Sequence, residues 1–252
     1  MLRRRVVWLT SGTHWAAHRG TEPLPHVVVT HSSPLLRQLG DSQMWLQHNK
    51  VTNLRIASPR LDGLLLRPGE TFSFCRTVGN ATSRRGYVFG MTLDGGDVRP
   101  GVGGGLCQIA NLLHWMALHT DLTVVQRSEH TVDPFPDSGR TVPWGTGCSI
   151  AWNYVDLQLR NDTGTTYALR VRVGERDLEG AIETSDPELQ QWRVEARDER
   201  FEQSDGMWWR SNEIWRVALD PVSGEPLGRE ELVKRNRART LYVPDLGPGG
   251  VG

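Results

Sequence analysis

The sequence lacks several features that would assign it to a broad functional class. Its 252 residues contain no run of 18 or more apolar residues, so it predicts no transmembrane helix. The 29 basic side chains are matched by 29 acidic ones. A general nucleic-acid-binding protein needs a basic excess to neutralise phosphates, so this balance argues against nucleic acid as a partner. Three cysteines, an odd number, do not form a disulfide framework and indicate a reducing compartment or a free functional thiol.

The amino-terminal end predicts no cleavable signal peptide. Residues 1–5 are rich in arginine, as the first part of a signal peptide is, but the apolar stretch that follows covers only residues 6–9. A cleavable signal needs roughly 7–15 apolar residues and a small-residue cleavage site. We therefore expect a protein that is cytoplasmic or peripheral to the cell envelope.

The chain predicts an α+β fold in three parts. Hydrophobic residues make up 38% of the sequence, which is enough for a folded core. Residues 1–49 are predicted to be helical or irregular, with a helix starting at Ser33. Residues 50–186 are predicted to form a mixed core, in which a Gly-rich turn leads into a buried central helix packed on antiparallel strands. Residues 187–252 alternate between polar and apolar side chains, which predicts a β-meander.

The segment that could carry chemistry is GGGLCQ, residues 103–108. Three successive glycines allow left-handed backbone and let the amides of residues 103, 104 and 105 point at one oxyanion or ligand. Cys107 then falls in the first turn of the predicted helix, with Gln108 beside it. Free amides and the helix dipole favour a thiolate at such a position. A thiolate beside an anion nest is a layout for amide hydrolysis or acyl transfer through a thioester.

A catalytic thiol needs a base, and His130 is the best candidate because it lies between a predicted strand and a Pro-rich loop. His114 is on the same helix as Cys107, two turns away, and is too distant for a direct hydrogen bond. Asp156 is the predicted third group that orients the imidazole. It lies in a strand predicted over residues 149–159. Asn153 and Asp133 are alternatives.

Other interpretations of the cysteine remain open. Cys107 can be a structural residue beneath a Gly-rich helix entry, since free cysteine is commonly buried. A phosphate-binding loop is weaker, because the lysine and hydroxyl of that motif are absent after Gly105. Zinc bound by Cys107, His130 and Cys148 is weaker too, because no closely spaced Cys or His pair supports it. The sequence thus predicts no metal site and no cofactor.

Four stretches together resemble the VanW family. They are RPGETFSF at 67–74, PGVGGGLCQ at 100–108, RSEH at 127–130 and DLQLRNDT at 156–163. The resemblance is centred on residues 50–173. It implies a link to B-type vancomycin resistance or to the envelope of Gram-positive bacteria. It places Cys107, Gln108 and His130 on positions shared by the family.

One departure from the family pattern bears on the catalytic hypothesis. Relatives often carry an aspartate in a Gly-x-Asp-Ala-Thr-Val segment, and Gly147 stands at that position here. If the family aspartate orients the histidine, Asp156 or Asp133 has to replace it in this chain.

The sequence supports three functional hypotheses. The first is a thiol-dependent amidase, peptidase or acyl transferase acting on peptidoglycan-type peptides. The second is a non-catalytic module that binds a peptidoglycan precursor or a glycopeptide, with Trp144 and Trp152 as stacking surfaces. The third is a structural partner that uses residues 188–252 for contact. The sequence carries no signal for an oligomeric state.

Overall fold

A computed structural model gives the architecture of the chain and describes residues 3–36, 44–94, 97–129, 132–134, 136–137, 140–186 and 190–245. The described residues form an α+β fold, as predicted. The helices are α1 (Arg3–Thr10), α2 (Met44–Ala57), α3 (Phe74–Val78) and α4 (Cys107–Ala117). The strands are β1 (His26–Pro34), β2 (Leu64–Leu66), β3 (Thr71–Ser73), β4 (Phe89–Asp94), β5 (Asp97–Val102), β6 (Thr123–Gln126), β7 (Val132–Asp133), β8 (Gln158–Arg160), β9 (Tyr167–Val173), β10 (Asp177–Thr184), β11 (Gln191–Ser204), β12 (Met207–Leu219) and β13 (Pro226–Thr240).

The central sheet is antiparallel and has the strand order β1-β10-β9-β2. Helix α4 contacts β1 and β10. Its sequence, CQIANLLHWMA, is apolar around most of its circumference, which is typical of a helix buried in a core. The main hydrophobic cluster includes Ile109, Leu113 and Met116 of α4, each fully buried. The predicted central helix is thus confirmed.

Two smaller units flank this core. Strand β8 pairs with β3 on one side and with β6 on the other, which makes a three-stranded sheet. Strands β4 and β5 form a hairpin that leads into the Gly-rich turn before α4. Helix α2 contacts β4. The Gly-rich turn is therefore held between the β4–β5 hairpin and two helices.

The carboxyl-terminal region is the predicted β-meander. Strands β11, β12 and β13 are long and antiparallel, and β7 adds to β13 in parallel. Buried positions alternate along β12, as expected for a sheet with one covered face. A small apolar cluster joins this sheet to the end of α4 through Leu118, Val194 and Ile214.

Two local predictions are wrong. Ser33 does not begin a helix: it lies in β1 opposite Leu178 of β10, so strand pairing prevails over the capping signal of the Ser-Pro pair. The strand predicted over 149–159 is limited to β8. A turn precedes it, and Asn153 there has a left-handed φ of 71°.

The predicted division at residue 49 falls inside α2 (Met44–Ala57), and β1 belongs to the same sheet as β10. The three-part organisation stays a prediction. Within the described part of the chain, no helix is long and apolar enough to cross a membrane.

Candidate functional site

The glycines of the predicted anion nest are required by close packing. Gly103 and Gly105 have left-handed φ angles of 78° and 95°, which glycine adopts without strain. A Cβ atom on Gly104 would overlap the backbone of Gly90, and one on Gly105 would overlap the side chain of Lys50. The turn thus lies directly against β4 and α2.

Two of the three glycine amides are engaged inside the fold. The Gly103 amide donates to the Val88 carbonyl and the Gly104 amide to the Gly101 carbonyl, each at 3.0 Å. The Gly104 carbonyl in turn accepts a 2.9 Å bond from the buried side chain of Asn53. These hydrogen bonds fix the turn and remove two donors from the proposed nest. The oxyanion role of Gly103, Gly104 and Gly105 stays a prediction.

Cys107 is the first residue of α4, as the sequence predicts, but its environment does not favour a thiolate. Burial raises the pKa of the Cys107 thiol, against the smaller effect of hydrogen bonds from the backbone amides of Ile150 and of Cys107 itself. Desolvation disfavours a charged sulfur more than the helix start stabilises it. The catalytic role of Cys107 stays a prediction.

Gln108 joins α4 to β1. Its Nε2 donates to the Ser33 hydroxyl and to the Pro34 carbonyl, each at 3.0 Å. Its Oε1 is buried and has no hydrogen-bond partner among the described residues. Gln108 thus orients the start of α4 on the central sheet, and its role in ligand binding stays a prediction.

Asp156 is fully buried and holds the start of α3 and helix α1. It accepts hydrogen bonds from the Ser73 hydroxyl at 2.6 Å and from the Cys75 amide at 2.8 Å. Gln158 donates to it at 3.1 Å, and the Arg4 guanidinium lies 3.5 Å from Oδ2. These partners satisfy the carboxylate and account for its burial.

His130 lies outside the described residues, so its pairing with Cys107 stays a prediction. Of the alternatives to Asp156, Asp133 is buried and accepts from Arg210 at 3.2 Å and from the Tyr242 hydroxyl at 2.8 Å. Asn153 accepts from the Arg4 amide at 3.3 Å. Both therefore have structural partners.

The three cysteines are free thiols, and Cys75 and Cys148 are buried. Burial, with the nearby Cys107 sulfur as the next cause, raises the pKa of Cys148 to about 12. In the ranges that the structure describes, no three His, Cys, Asp or Glu side chains are grouped as a metal site. The zinc alternative includes His130 and so lies outside those ranges.

The space around Gly147 would accept a Cβ atom without a clash. A Cβ atom there would meet only Asn111 Oδ1, at 3.8 Å. Asn111 is one turn after Cys107 on α4 and accepts a 2.6 Å bond from the Cys148 amide. The backbone therefore leaves room for the Cβ atom of a side chain beside α4 at this position.

Sequence reasoning missed a cleft of about 590 Å³ between α1, α3 and the turn at 151–155. Among its lining side chains are Arg5, Arg60, Arg76, Arg85, Trp8 and Trp152. In the sequence, Arg5 belongs to an arginine-rich start that resembles the first part of a signal peptide. No local pattern connects it with Arg60 or Arg76, because the three come from separate segments of the chain.

The Gly-rich helix entry lies within the segment that matches a known family, and the chain belongs to the VanW family. The family described as VanW like protein matches residues 49–183.

Two curated relatives are similar to the chain. It is 38% identical over 171 residues to the vancomycin B-type resistance protein VanW of Enterococcus faecalis, covering 68% of this chain and 62% of that protein. It is 29% identical over 123 residues to the uncharacterized protein YoaR of Bacillus subtilis, covering 48% of this chain and 38% of that protein. The chain thus spans less than two thirds of either relative. No solved structure matches it significantly.

Proposed function

We propose that this chain takes part in resistance to vancomycin-type glycopeptides as a non-catalytic module that binds a peptidoglycan-type peptide at the cell envelope. The link to resistance rests on the similarity of this chain to the vancomycin B-type resistance protein VanW of Enterococcus faecalis. The preference for binding over catalysis rests on the surroundings of Asp156 and Cys107.

The observation that carries this preference is that Asp156, the predicted third group, is fully buried in contacts of its own. In addition, desolvation raises the pKa of the half-buried Cys107 thiol. Thioester chemistry starts from a thiolate. Asp156, the predicted third group, is occupied by Ser73, Cys75, Gln158 and Arg4. The motif therefore supports a structural role for Cys107, with ligand binding elsewhere on the surface.

The two tryptophans predicted as stacking surfaces differ in their surroundings. Trp144 is buried, and the guanidinium of Arg210 lies 5.0 Å from its ring centroid. Trp152 is only half-buried and lines the open cleft. Trp152 is thus the better candidate for contact with a ligand.

A single experiment separates binding from catalysis. The wild-type chain, Cys107→Ser and Cys107→Ala are each incubated with a peptidoglycan pentapeptide precursor. Calorimetry measures the Kd and mass spectrometry follows the peptide. We expect the three proteins to bind with Kd values within about twofold of one another and to leave the peptide intact, since the sulfur makes no ligand contact in this proposal.

Two outcomes contradict the binding proposal. One is a cleaved or transferred product that forms with the wild-type protein and not with Cys107→Ser. The other is the absence of binding by all three proteins. Vancomycin in place of the pentapeptide tests the glycopeptide itself as the ligand.

The thiol-dependent hydrolase or acyl transferase is the second candidate. The observation that favours it is the pair of backbone amides, from Ile150 and Cys107, that hydrogen-bond to the sulfur. In that mechanism His130 removes the thiol proton, the sulfur attacks the amide carbonyl, the amine leaves with a proton, and water or a second amine cleaves the thioester. Iodoacetamide labelling of Cys107 then follows an apparent pKa below that of a free cysteine, whereas the binding proposal predicts an apparent pKa above it.

A further inference from the structure

The cleft beside α1 brings together arginines from four parts of the fold. Arg5 comes from α1, Arg60 from the 3₁₀ turn after α2, Arg76 from α3, and Arg85 from the 3₁₀ turn before β4. Its volume of about 590 Å³ is within the range of small-molecule sites, roughly 300–1,000 Å³. None of the described residues that line it is acidic.

The charges of this cleft are not balanced within the described part of the chain. Arg5, Arg60 and Arg76 make no ion pair with any carboxylate there. The arginines of the carboxyl-terminal sheet are different: Arg197 pairs with Glu230 at 2.7 Å and Arg216 with Glu231 at 2.6 Å. In a chain with no net charge, this cluster is a local positive potential that attracts an anion.

Two of the arginines are held in place by neighbouring groups. The Arg85 guanidinium donates to the Val78 carbonyl at 2.6 Å and also to the Asn80 carbonyl. The Arg76 guanidinium lies 5.7 Å from the ring centroid of Trp15. Both are oriented before any ligand arrives, which lowers the entropic cost of binding.

An aromatic wall lies next to the arginines. The rings of Trp8 and Trp152 are 5.4 Å apart between centroids and inclined at 56°. Trp8 is 8% exposed, and its Nε1–H is buried without a hydrogen-bond acceptor among the described residues. Trp8 thus contributes to the lining of the cleft through its ring.

We infer that this cleft binds a small ligand that carries two negative charges on oxyanion groups and a planar or apolar portion. The guanidinium groups of Arg5, Arg60 and Arg76 pair with the oxyanions, because a guanidinium offers several N–H donors to carboxylate or phosphate oxygens. Trp152 and Trp8 pack against the planar portion. The inference goes beyond the proposed function and does not depend on the chemistry of Cys107.

Three probes test the inference by titration calorimetry in 50 mM salt. Phenyl phosphate and N-benzoyl-glutamate each join an aromatic ring to a dianion, one through phosphate and one through two carboxylates. N-benzoyl-glutamine amide has nearly the same shape and no charge. We expect at least one dianion to bind and the neutral amide not to bind. The preferred dianion identifies phosphate or carboxylate as the natural oxyanion.

Matched variants assign the binding to the cleft. Arg60→Gln/Arg76→Gln should raise the Kd of the bound dianion about tenfold or more, because it removes two guanidinium groups that donate hydrogen bonds to the oxyanions. Arg172→Gln/Arg200→Gln removes the same charge from exposed sites outside the cleft and should change the Kd less than about twofold. Trp152→Leu should weaken the binding of each dianion that the wild-type protein binds.

The inference is overturned if neither dianion binds at millimolar concentration, if the neutral amide binds equally well, or if both double variants weaken binding to the same extent. Thermal unfolding of each variant verifies that it is folded. The probes contain no peptidoglycan, so their failure leaves the pentapeptide experiment unaffected, and the reverse also holds.

Discussion

The hydroxyl of Ser73 donates a 2.6 Å hydrogen bond to Oδ2 of Asp156, across 83 positions of sequence. Ser73 also caps α3, because its oxygen accepts from the Arg76 amide at 3.1 Å. The two residues therefore join the start of α3 to the segment before β8. Asp156 is a buried structural carboxylate in this conformation.

Asp156→Asn should destabilise the protein, since it removes the charge that Ser73, Gln158 and Arg4 share. We expect the free energy of unfolding to fall by about 2 kcal/mol or more, as for the loss of a buried charged hydrogen-bond acceptor. Urea unfolding measures the change. Asp162→Asn, at an exposed ion pair with Arg160, is the matched control and should cost less than about 0.5 kcal/mol. Equal effects of the two substitutions would show that the buried hydrogen bonds of Asp156 do not stabilise the fold more than an exposed ion pair does.

The Gly-rich turn gives a second prediction. Gly104→Ala should lower the free energy of unfolding by about 3 kcal/mol or more, because its Cβ would overlap the backbone of Gly90 and neither segment can move freely. Gly164→Ala is the control, since nothing lies within 4 Å of its Cβ position. Thermal unfolding compares them. A stable Gly104→Ala protein would contradict the close contact between the turn and β4.

His114 predicts a pH dependence of stability. Burial, reinforced by the charge of Arg127, lowers its pKa from 6.5 to about 3. Its Nδ1 lies 2.8 Å from the Thr146 carbonyl, so the neutral ring donates there. The unfolded chain takes up a proton near pH 6.5 and the folded one does not, so stability falls as the pH drops from 7 towards 3.

His114→Asn removes this contribution. From pH 7 to pH 5 the wild-type protein should lose about 2 kcal/mol more free energy of unfolding than the variant. Urea unfolding at both pH values gives the two differences, and the common effects of other groups cancel between the proteins. Identical losses would mean that His114 titrates normally in the folded state.

Arg210 of β12 predicts a strong coupling to Asp133 of β7 within the carboxyl-terminal sheet. It is 1% exposed, pairs with Asp133 at 3.2 Å and Glu199 at 2.8 Å, and lies between the rings of Trp144 and Phe201. Arg210→Met should cost about 3 kcal/mol, because the buried Asp133 carboxylate loses its buried cation and keeps only Arg140, 3.5 Å away, as an ionic partner. Adding Asp133→Asn should restore part of that loss in urea unfolding. If the double variant loses as much free energy of unfolding as the two single variants together, Arg210 and Asp133 are not coupled.

The helix α4 and the turn before it could be predicted because their signals are local. Three glycines, then an apolar run beginning at Cys107, specify a tight turn and a buried helix within 15 residues of sequence. The β-meander could be predicted for the same reason, because the alternation of polar and apolar side chains is visible within each strand. Ser33 shows the limit of prediction from local signals. Its sequence predicts a helix cap, but its strand pairing depends on β10, which is distant in the sequence.

The site could be predicted only in part. The position of Cys107 at a helix start follows from the sequence, but its pKa depends on what covers the sulfur, and Ile150 comes from a distant segment. The partners of Asp156 include Arg4, 152 positions away. The arginine cleft is composed of residues from α1, α3 and two 3₁₀ turns, and no spacing rule connects them.

The long strand β11 lies at the outer end of the carboxyl-terminal sheet, in the order β11-β12-β13-β7. Its pairing with β12 shifts register between Arg197 and Arg200, and Asp198 there has a left-handed φ of 53°. Charged side chains and an irregular backbone make an edge a poor template for another strand. The sheet can therefore be long and accessible without recruiting further chains into aggregates.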